Sequence, residues 1–302
     1  MGYFGFISTL LKVDSPWGKM LRFLPEKWRY YNGPLQSGEI AGVLPGETVQ
    51  GFGWSVPDSG MQVWQESRYI RLWERFLVDL DERDIKVIGL DASSGFRPPR
   101  RLTGKTVFPG ICDGRALELL LFFNRFRTLL RSMETPPQKT KVLIIWEEGN
   151  LGLACARLVA REVRFLSLVH PNARYLERAA ELIMAETGIA TQIFTVPPDS
   201  VRSRIVIVCG PLHQYRLTRP SRHYQWFELF QKNPSLTVLN ADLPITALCR
   251  QERLPLYPAL AEAILRSSFD VNPGVWYGSE LPLEHVVKMA ELLREVGMKI
   301  AI

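Results

Sequence analysis

Apolar residues recur along this chain in two rhythms, and the change of rhythm divides it. Up to about Ser132, short apolar runs predict strands at Tyr3 to Ser8, Glu39 to Val43, Thr48 to Val56 and Ile85 to Leu90, while Gln65 to Glu82 repeats at helical spacing. A Gly/Pro/Arg-rich loop, Ser93 to Gly110, follows, and a loop that long in a compact domain invites a functional reading. Asp113 then opens a long amphipathic helix, which the prolines of Met133-Glu134-Thr135-Pro136-Pro137-Gln138-Lys139 break, marking the expected domain linker. Beyond the linker strand and helix alternate. Strands are expected at Val142 to Ile145, Arg164 to Val169, Thr191 to Val196, Ile205 to Cys209 and Leu236 to Asn240. Helices are expected at Leu151 to Ala160, at Ala173 to Thr187 with Gly188 as its stop, and around Arg222 to Gln231. Such alternation predicts a parallel sheet, whose ligands bind at the carboxyl ends of its strands. Two further helices, Tyr257 to Ser268 and Leu283 to Val296, are expected to return to the junction between domains, and no internal repeat or low-complexity segment interrupts the pattern.

The most informative stretch is Lys141-Val142-Leu143-Ile144-Ile145-Trp146-Glu147-Glu148-Gly149-Asn150-Leu151-Gly152-Leu153-Ala154, a strand, turn and helix in the dinucleotide-binding order. Gly149 and Gly152 stand where such a turn needs bare backbone, one for approach to a pyrophosphate and one for close packing of helix on strand. The tight-turn glycine is missing: its place falls on Trp146 or on Glu147, depending on the spacing adopted. An indole would crowd that turn, and Glu147 with Glu148 would set carboxylates beside a diphosphate. The fold expected is therefore α/β, a Rossmann-type parallel-sheet domain (136–256) with a second, N-terminal α/β domain (1–135) and terminal helices (257–302). The cofactor-binding candidates are Gly149, Asn150, Leu151, Gly152, His170 and Arg174. At the end of the second Rossmann strand the chain reads His170-Pro171-Asn172-Ala173-Arg174, with no acid for a ribose hydroxyl, which disfavours NAD. His170 or Arg174 can meet the extra phosphate of NADP; alternatively Asn172 caps the next helix and Arg174 is a surface residue of its first turn. NADP and no cofactor at all both remain open.

Composition narrows the remaining classes. A chain of 302 residues with 46% hydrophobic content can bury a core in each of two domains. No apolar run reaches the roughly 20 residues of a membrane span, and Met1 to Leu11 lacks a basic leader and a cleavage site, so a cytoplasmic protein is expected. The four cysteines, Cys112, Cys155, Cys209 and Cys249, are scattered and expected to be reduced thiols. The formal charge is only +6, yet Arg202, Arg204, Arg216, Arg219 and Arg222 lie close together, either as a face for an acidic partner or a phosphate, or as a solvated edge. Arg97, Arg100, Arg101 and Lys105, with Asp91 and Ser94, either line a cleft or belong to a solvated loop. His213 and His223 have no companion at metal-ligand spacing, so no metal is expected. Trp17, Trp28, Tyr30 and Tyr31 are read as a packed core edge, because the basic residues among them form no continuous stripe for nucleic acid.

Several of these segments together resemble the long-chain acyl-carrier-protein reductases and their shikimate-dehydrogenase-like relatives. The resemblance runs end to end. It rests on Phe4-Gly5-Phe6-Ile7, on Ile85 to Leu90 followed by Ser93-Ser94-Gly95-Phe96, on the Gly149 to Gly152 turn, and on Ala261-Glu262-Ala263-Ile264-Leu265. Trp276-Tyr277-Gly278 and a last helix carrying Val286, Met289, Leu292, Leu293 and Val296 follow in the same order. The resemblance implies reduction of a fatty acyl thioester to an aldehyde with NADPH, through a cysteine that first takes the acyl group, with an acyl carrier protein as partner. The matching stretch here is Gly110-Ile111-Cys112-Asp113-Gly114-Arg115-Ala116, and the place of the nucleophile falls on Leu119 or Phe123, neither of which can attack a thioester. Cys112 either replaces it from nearby or is a plain buried thiol, and Asp113 beside it opposes a thiolate and suits a helix cap better. Two functions follow as expectations: a binding or regulatory module with a damaged site, or an active NADP-dependent oxidoreductase that transfers hydride directly. A third class, a structural partner of an acidic protein, rests on the arginine-rich stretch.

Overall fold

Phe4, Phe6 and Ile7 are buried along one short run, so this run forms a strand that needs neighbours on both sides, β1 (Tyr3–Ser8). The computed structural model describes residues 3–8, 34–56, 65–91, 96–99, 101–102, 109–197, 203–210, 212–213, 225–229, 243–249, 252–271 and 281–300. They belong to two compact units, one of Met1–Leu117, Ser235–Gly278 and Lys288–Lys299, the other of Glu118–Pro234, Ser279–Val287 and Ile300–Ile302.

In the first unit β1 pairs in parallel with β3 (Glu47–Ser55) and with β4 (Ile85–Leu90), and β4 pairs in parallel with β5 (Gly110–Cys112). β2 (Leu35–Leu44) turns back through Pro45 and Gly46 to run antiparallel to β3. β11 (Thr246–Cys249) and β12 (Glu252–Leu254) extend the outer side of β2, Thr246 opposite Val43, and complete a seven-stranded sheet in the order β12-β11-β2-β3-β1-β4-β5. Both lie within 136–256, and the division between units falls inside α2 (Arg115–Ser132), upstream of the proline pair. α1 (Glu66–Glu82) sets Tyr69, Trp73, Phe76 and Leu80 on one face at helical spacing. These pack with Ile7, Trp54 and Phe96, the Trp73 and Phe96 rings stacking at 4.6 Å.

α5 (Pro258–Ser268) is buried from Pro258 to Ser267 because the sheet leaves it a trough of bare backbone. A Cβ at Gly89 would lie 2.4 Å from the carbonyl oxygen of Ala259, and one at Gly42 would lie 2.7 Å from Ile264. Burial on every side leaves the charges of this helix no route to water. Arg266 therefore turns Nε and Nη2 onto Glu262 Oε1, at 2.9 and 2.8 Å. Desolvation raises the Glu262 carboxyl above the usual carboxylate range, and Arg266 opposes that shift.

In the second unit Val142 to Trp146 are all buried, as expected of a central parallel strand, β6 (Lys141–Trp146). β7 (Phe165–Val169), β8 (Gln192–Phe194), β9 (Ile205–Cys209) and β10 (Gln225–Leu229) join it in the order β10-β9-β6-β7-β8, every pair parallel. Counted from β6, that order is 3-2-1-4-5, the Rossmann arrangement, with its switch point between β6 and β9. α3 (Leu151–Val159) follows β6, and α4 (Ala173–Thr187) follows β7. The Asn172 side chain caps α4 by accepting from Tyr175 N at 3.1 Å, and Gly188 stops it in the left-handed region, φ 71°.

One expected element is corrected. The helix anticipated around Arg222 to Gln231 is, over its described residues, strand β10 paired to β9. The period is two: Trp226 packs against the cluster of Leu143, Ile145 and Val206, whereas Phe227 meets Phe122 of α2 with ring centroids at 5.3 Å. A five-residue segment whose apolar positions are Trp226, Phe227 and Leu229 fits either period, and sheet pairing decides. The strand expected at Leu236 to Asn240 lies outside the described residues. None of the described helices is long and apolar enough to cross a membrane.

Two substitutions test this packing by urea denaturation. Gly89→Ala should destabilise by about 1–3 kcal/mol, because its methyl group meets backbone that cannot give way. Arg266→Met alone should cost about 3–5 kcal/mol by stranding Glu262, and Glu262→Leu added to it should recover most of that loss. If the double variant is no more stable than Arg266→Met, the pair contributes something other than mutual neutralisation.

Candidate functional site

The carboxyl end of β6 carries the turn that the sequence singles out. Gly149 adopts φ 62°, a conformation that glycine takes without strain, and Asn150 stands at the N-cap of α3. Trp146 does not stand in the turn. Its indole lies beneath α3, fully buried, and a Cβ at Gly152 would fall 2.2 Å from its Cδ2. Gly152 therefore fills the helix-on-strand role, with an indole as the surface it meets. Trp146 Nε1 has no hydrogen-bond partner among the described residues. The ring neighbours His170 at 5.1 Å and Tyr175 at 6.2 Å, which are themselves 4.7 Å apart.

Two side chains of the turn are tied to other segments of the same unit. The Glu147 carboxylate, 8% exposed, accepts a hydrogen bond from His213 N, on the segment after β9. Since β6 and β9 flank the switch point, this carboxylate spans the crevice in which such sheets place their ligand. Asn150 Oδ1 accepts from Leu281 N, so the cap residue does not bond the first amides of its own helix. Glu148 is exposed, Leu151 is buried, and Gly149 and Asn150 are half-buried.

His170 follows β7 at the place of the ribose-binding acid. It is 7% exposed, and its Nδ1 accepts from Asn172 N at 3.1 Å. Burial holds its pKa below the usual histidine value, against hydrogen bonds to the backbone of Asn172 and Glu147 and the pull of the Glu147 carboxylate. Arg174 is exposed on the first turn of α4. Among the described residues a dinucleotide here would meet a buried imidazole, the surface cation of Arg174 and a carboxylate across the crevice, which is a poor fit to a diphosphate.

The thiol of Cys112 is elsewhere, on β5, 1% exposed, donating to the carbonyls of Ile88 (3.6 Å) and Ala259 (3.8 Å). Burial first, and Glu262 second, push its pKa well above the ordinary thiol value, the reverse of what a nucleophile needs. Leu119 and Phe123 are core residues. Asp113 accepts from Arg115 N at 3.3 Å, serving the start of α2. Asp91 is buried and takes the Ser8 hydroxyl at 2.8 Å, while Arg97 N donates to the Tyr69 hydroxyl at 2.9 Å. Arg101 and Arg204 are exposed. Ser94, Arg100, Lys105, Arg202, Arg216, Arg219, Arg222, His223, Trp17, Trp28, Tyr30, Tyr31 and Trp276 to Gly278 lie outside the described residues. No group of His, Cys, Asp or Glu suited to a metal occurs among those described. A surface depression of about 860 Å³, lined in part by Arg161, Arg164 and Gly188, lies at the amino ends of β6 to β8, the edge opposite the crevice.

No protein family matches this chain, and no curated protein does. Among solved structures it is similar to L-tryptophan dehydrogenase from Nostoc punctiforme, at 11% identity and a TM-score of 0.39 over 97% of this chain and 79% of that one. It is similar to a glutamate dehydrogenase variant at 11% identity and a TM-score of 0.36, over 98% of this chain and 72% of the other. The A chain of dipicolinate synthase from Bacillus subtilis is 12% identical, with a TM-score of 0.26, over 43% of this chain and 44% of that one. Likenesses that distant carry no argument about activity. The chain is an α/β protein of Rossmann-type strand order on the strength of its own sheet.

Proposed function

We propose that this chain is a divergent dinucleotide-fold protein, related to acyl-thioester reductases, whose crevice is closed by its own side chains and which acts as a binding or regulatory module. The observation that carries this reading is the Glu147 carboxylate bonded across the switch point to His213 N, where a working site keeps room for a ligand's negative groups. Asn150, held by Leu281, and the high-pKa thiol of Cys112 support it. The partner class implied by the resemblance is an acyl carrier protein or another acidic protein, met by arginines such as Arg204. A second reading, an NADP-dependent oxidoreductase with direct hydride transfer, draws on Arg174, a cation exposed at the end of β7, and on the strain-free turn at Gly149.

Isothermal titration of the full chain with NADPH, NADP and NADH separates the two. No heat should appear at ligand concentrations near 1 mM, and micromolar binding would favour the oxidoreductase. Glu147→Gly should then raise the affinity for NADPH by tenfold or more if the carboxylate is what closes the crevice, whereas Glu148→Ala, changing an exposed residue, should leave it alone.

The buried imidazole gives a separate check. A histidine held neutral by burial contributes stability that is complete above its unfolded pKa, about 6.5, and that is lost as pH falls through its lower folded value. The urea midpoint should therefore drop as pH falls below about 6.5, and His170→Gln should flatten that part of the profile. An unchanged slope in the variant would mean that other groups bind the protons.

A further inference from the structure

Two thiols of the second unit are buried between α3 and the sheet. Trp146 and Cys209 are register partners on β6 and β9, so their side chains leave the sheet on the same face. That face is the one α3 covers, because the Trp146 indole lies against Gly152. One turn further along α3, which packs against β9 as well as β6, Cys155 is fully buried, and its thiol is a neighbour that raises the pKa of the Cys209 thiol. Among the described residues both are free cysteines, and Cys209 is buried as well.

We propose that Cys155 and Cys209 form a reversible dithiol–disulfide switch that staples α3 to β9, on the two flanks of the β6 carboxyl end. Burial of two thiols on one face between a helix and the strand it packs against is the setting a disulfide requires, and the scattered spacing of these cysteines along the chain conceals it. The oxidant is a low-molecular-weight disulfide of the glutathione class. One protein thiol loses its proton and attacks a sulfur of that disulfide, breaking its S–S bond and releasing one thiolate. The second protein thiol, deprotonated in turn, attacks the mixed disulfide, forms the Cys155–Cys209 bond and releases the other thiolate. The two protons end on the released thiolates; the protein gives up two electrons and the small disulfide takes them.

Burial sets the speed of this exchange. Desolvation raises the Cys209 thiol well above its ordinary value, and the neighbouring Cys155 adds to the shift. The reaction therefore proceeds only through local opening of α3, which makes the pair slow to oxidise and, once closed, slow to reduce. The staple joins the helix that follows the Gly149 turn to the strand that leads to His213, so its closure restrains both sides of the crevice. It does not depend on what the crevice binds.

Incubation of the full chain with oxidised glutathione, alkylation of the remaining thiols and peptide mass mapping tests the pair directly. The expected product is a Cys155–Cys209 linked peptide lighter by two hydrogen atoms, with a raised thermal midpoint that dithiothreitol reverses. Cys209→Ser should abolish both the link and the shift, while the half-buried Cys249 reports that the oxidant has acted. Full alkylation of Cys155 and Cys209 in unfolded samples whose Cys249 is already glutathionylated would overturn the switch. So would a glutathione adduct on Cys155 that never resolves, or a link of either residue to a different cysteine.

Discussion

The contact between the Trp146 indole and the bare backbone of Gly152 sets the geometry of the second unit. A large ring ends β6 where the Rossmann pattern expects a small residue, and it is accommodated only because the helix above has no side chain at the facing position. With the ring seated beneath α3, the following carboxylate, Glu147, projects towards the β9 side and finds the His213 amide. His170 and Tyr175 close against the other side of the indole. Burying an aromatic cluster of this size strongly favours folding.

In the first unit the corresponding constraint is the helix α5 laid into a trough of glycines. An apolar helix there would need only close packing. This one also carries Glu262 and Arg266, whose burial is favourable only as a pair, since a guanidinium or a carboxylate left alone in that trough meets no water. Burial is what chiefly holds Cys112 as a thiol; the nearby Glu262 carboxylate adds to that effect and Arg266 opposes it.

Much of this was legible in the chain. Short runs rich in β-branched residues, such as Ile205 to Cys209, and helices with clear caps, such as Asn172 to Gly188, favour one local solution. Other short runs did not share that property: Gln225 to Leu229 fits a helix or a strand, and only the edge offered by β9 selects between them. The turn glycines were visible as residues, but not their neighbours. That Gly152 faces Trp146 follows from spacing within one strand–helix unit and was within reach. That Glu147 meets His213, or that Cys155 and Cys209 share one face of the sheet, depends on the lateral order of parallel strands, which local pattern does not encode. The same holds for β11 and β12, whose short sequences show neither their antiparallel pairing nor their distant partner, β2.

The trough filled by α5 also orders events during synthesis on the ribosome. Its walls come from Gly42, Gly89 and Gly114, yet the helix that occupies it begins at Pro258. A nascent chain that has emerged as far as β10 holds most strands of its first sheet with an apolar slot still open, together with a β2 edge awaiting β11. Such a chain exposes sticky surface until Pro258 to Ser268 has left the exit tunnel, and contacts of that sequence separation form slowly. The first sheet is thus completed only after every strand of the second has been synthesised.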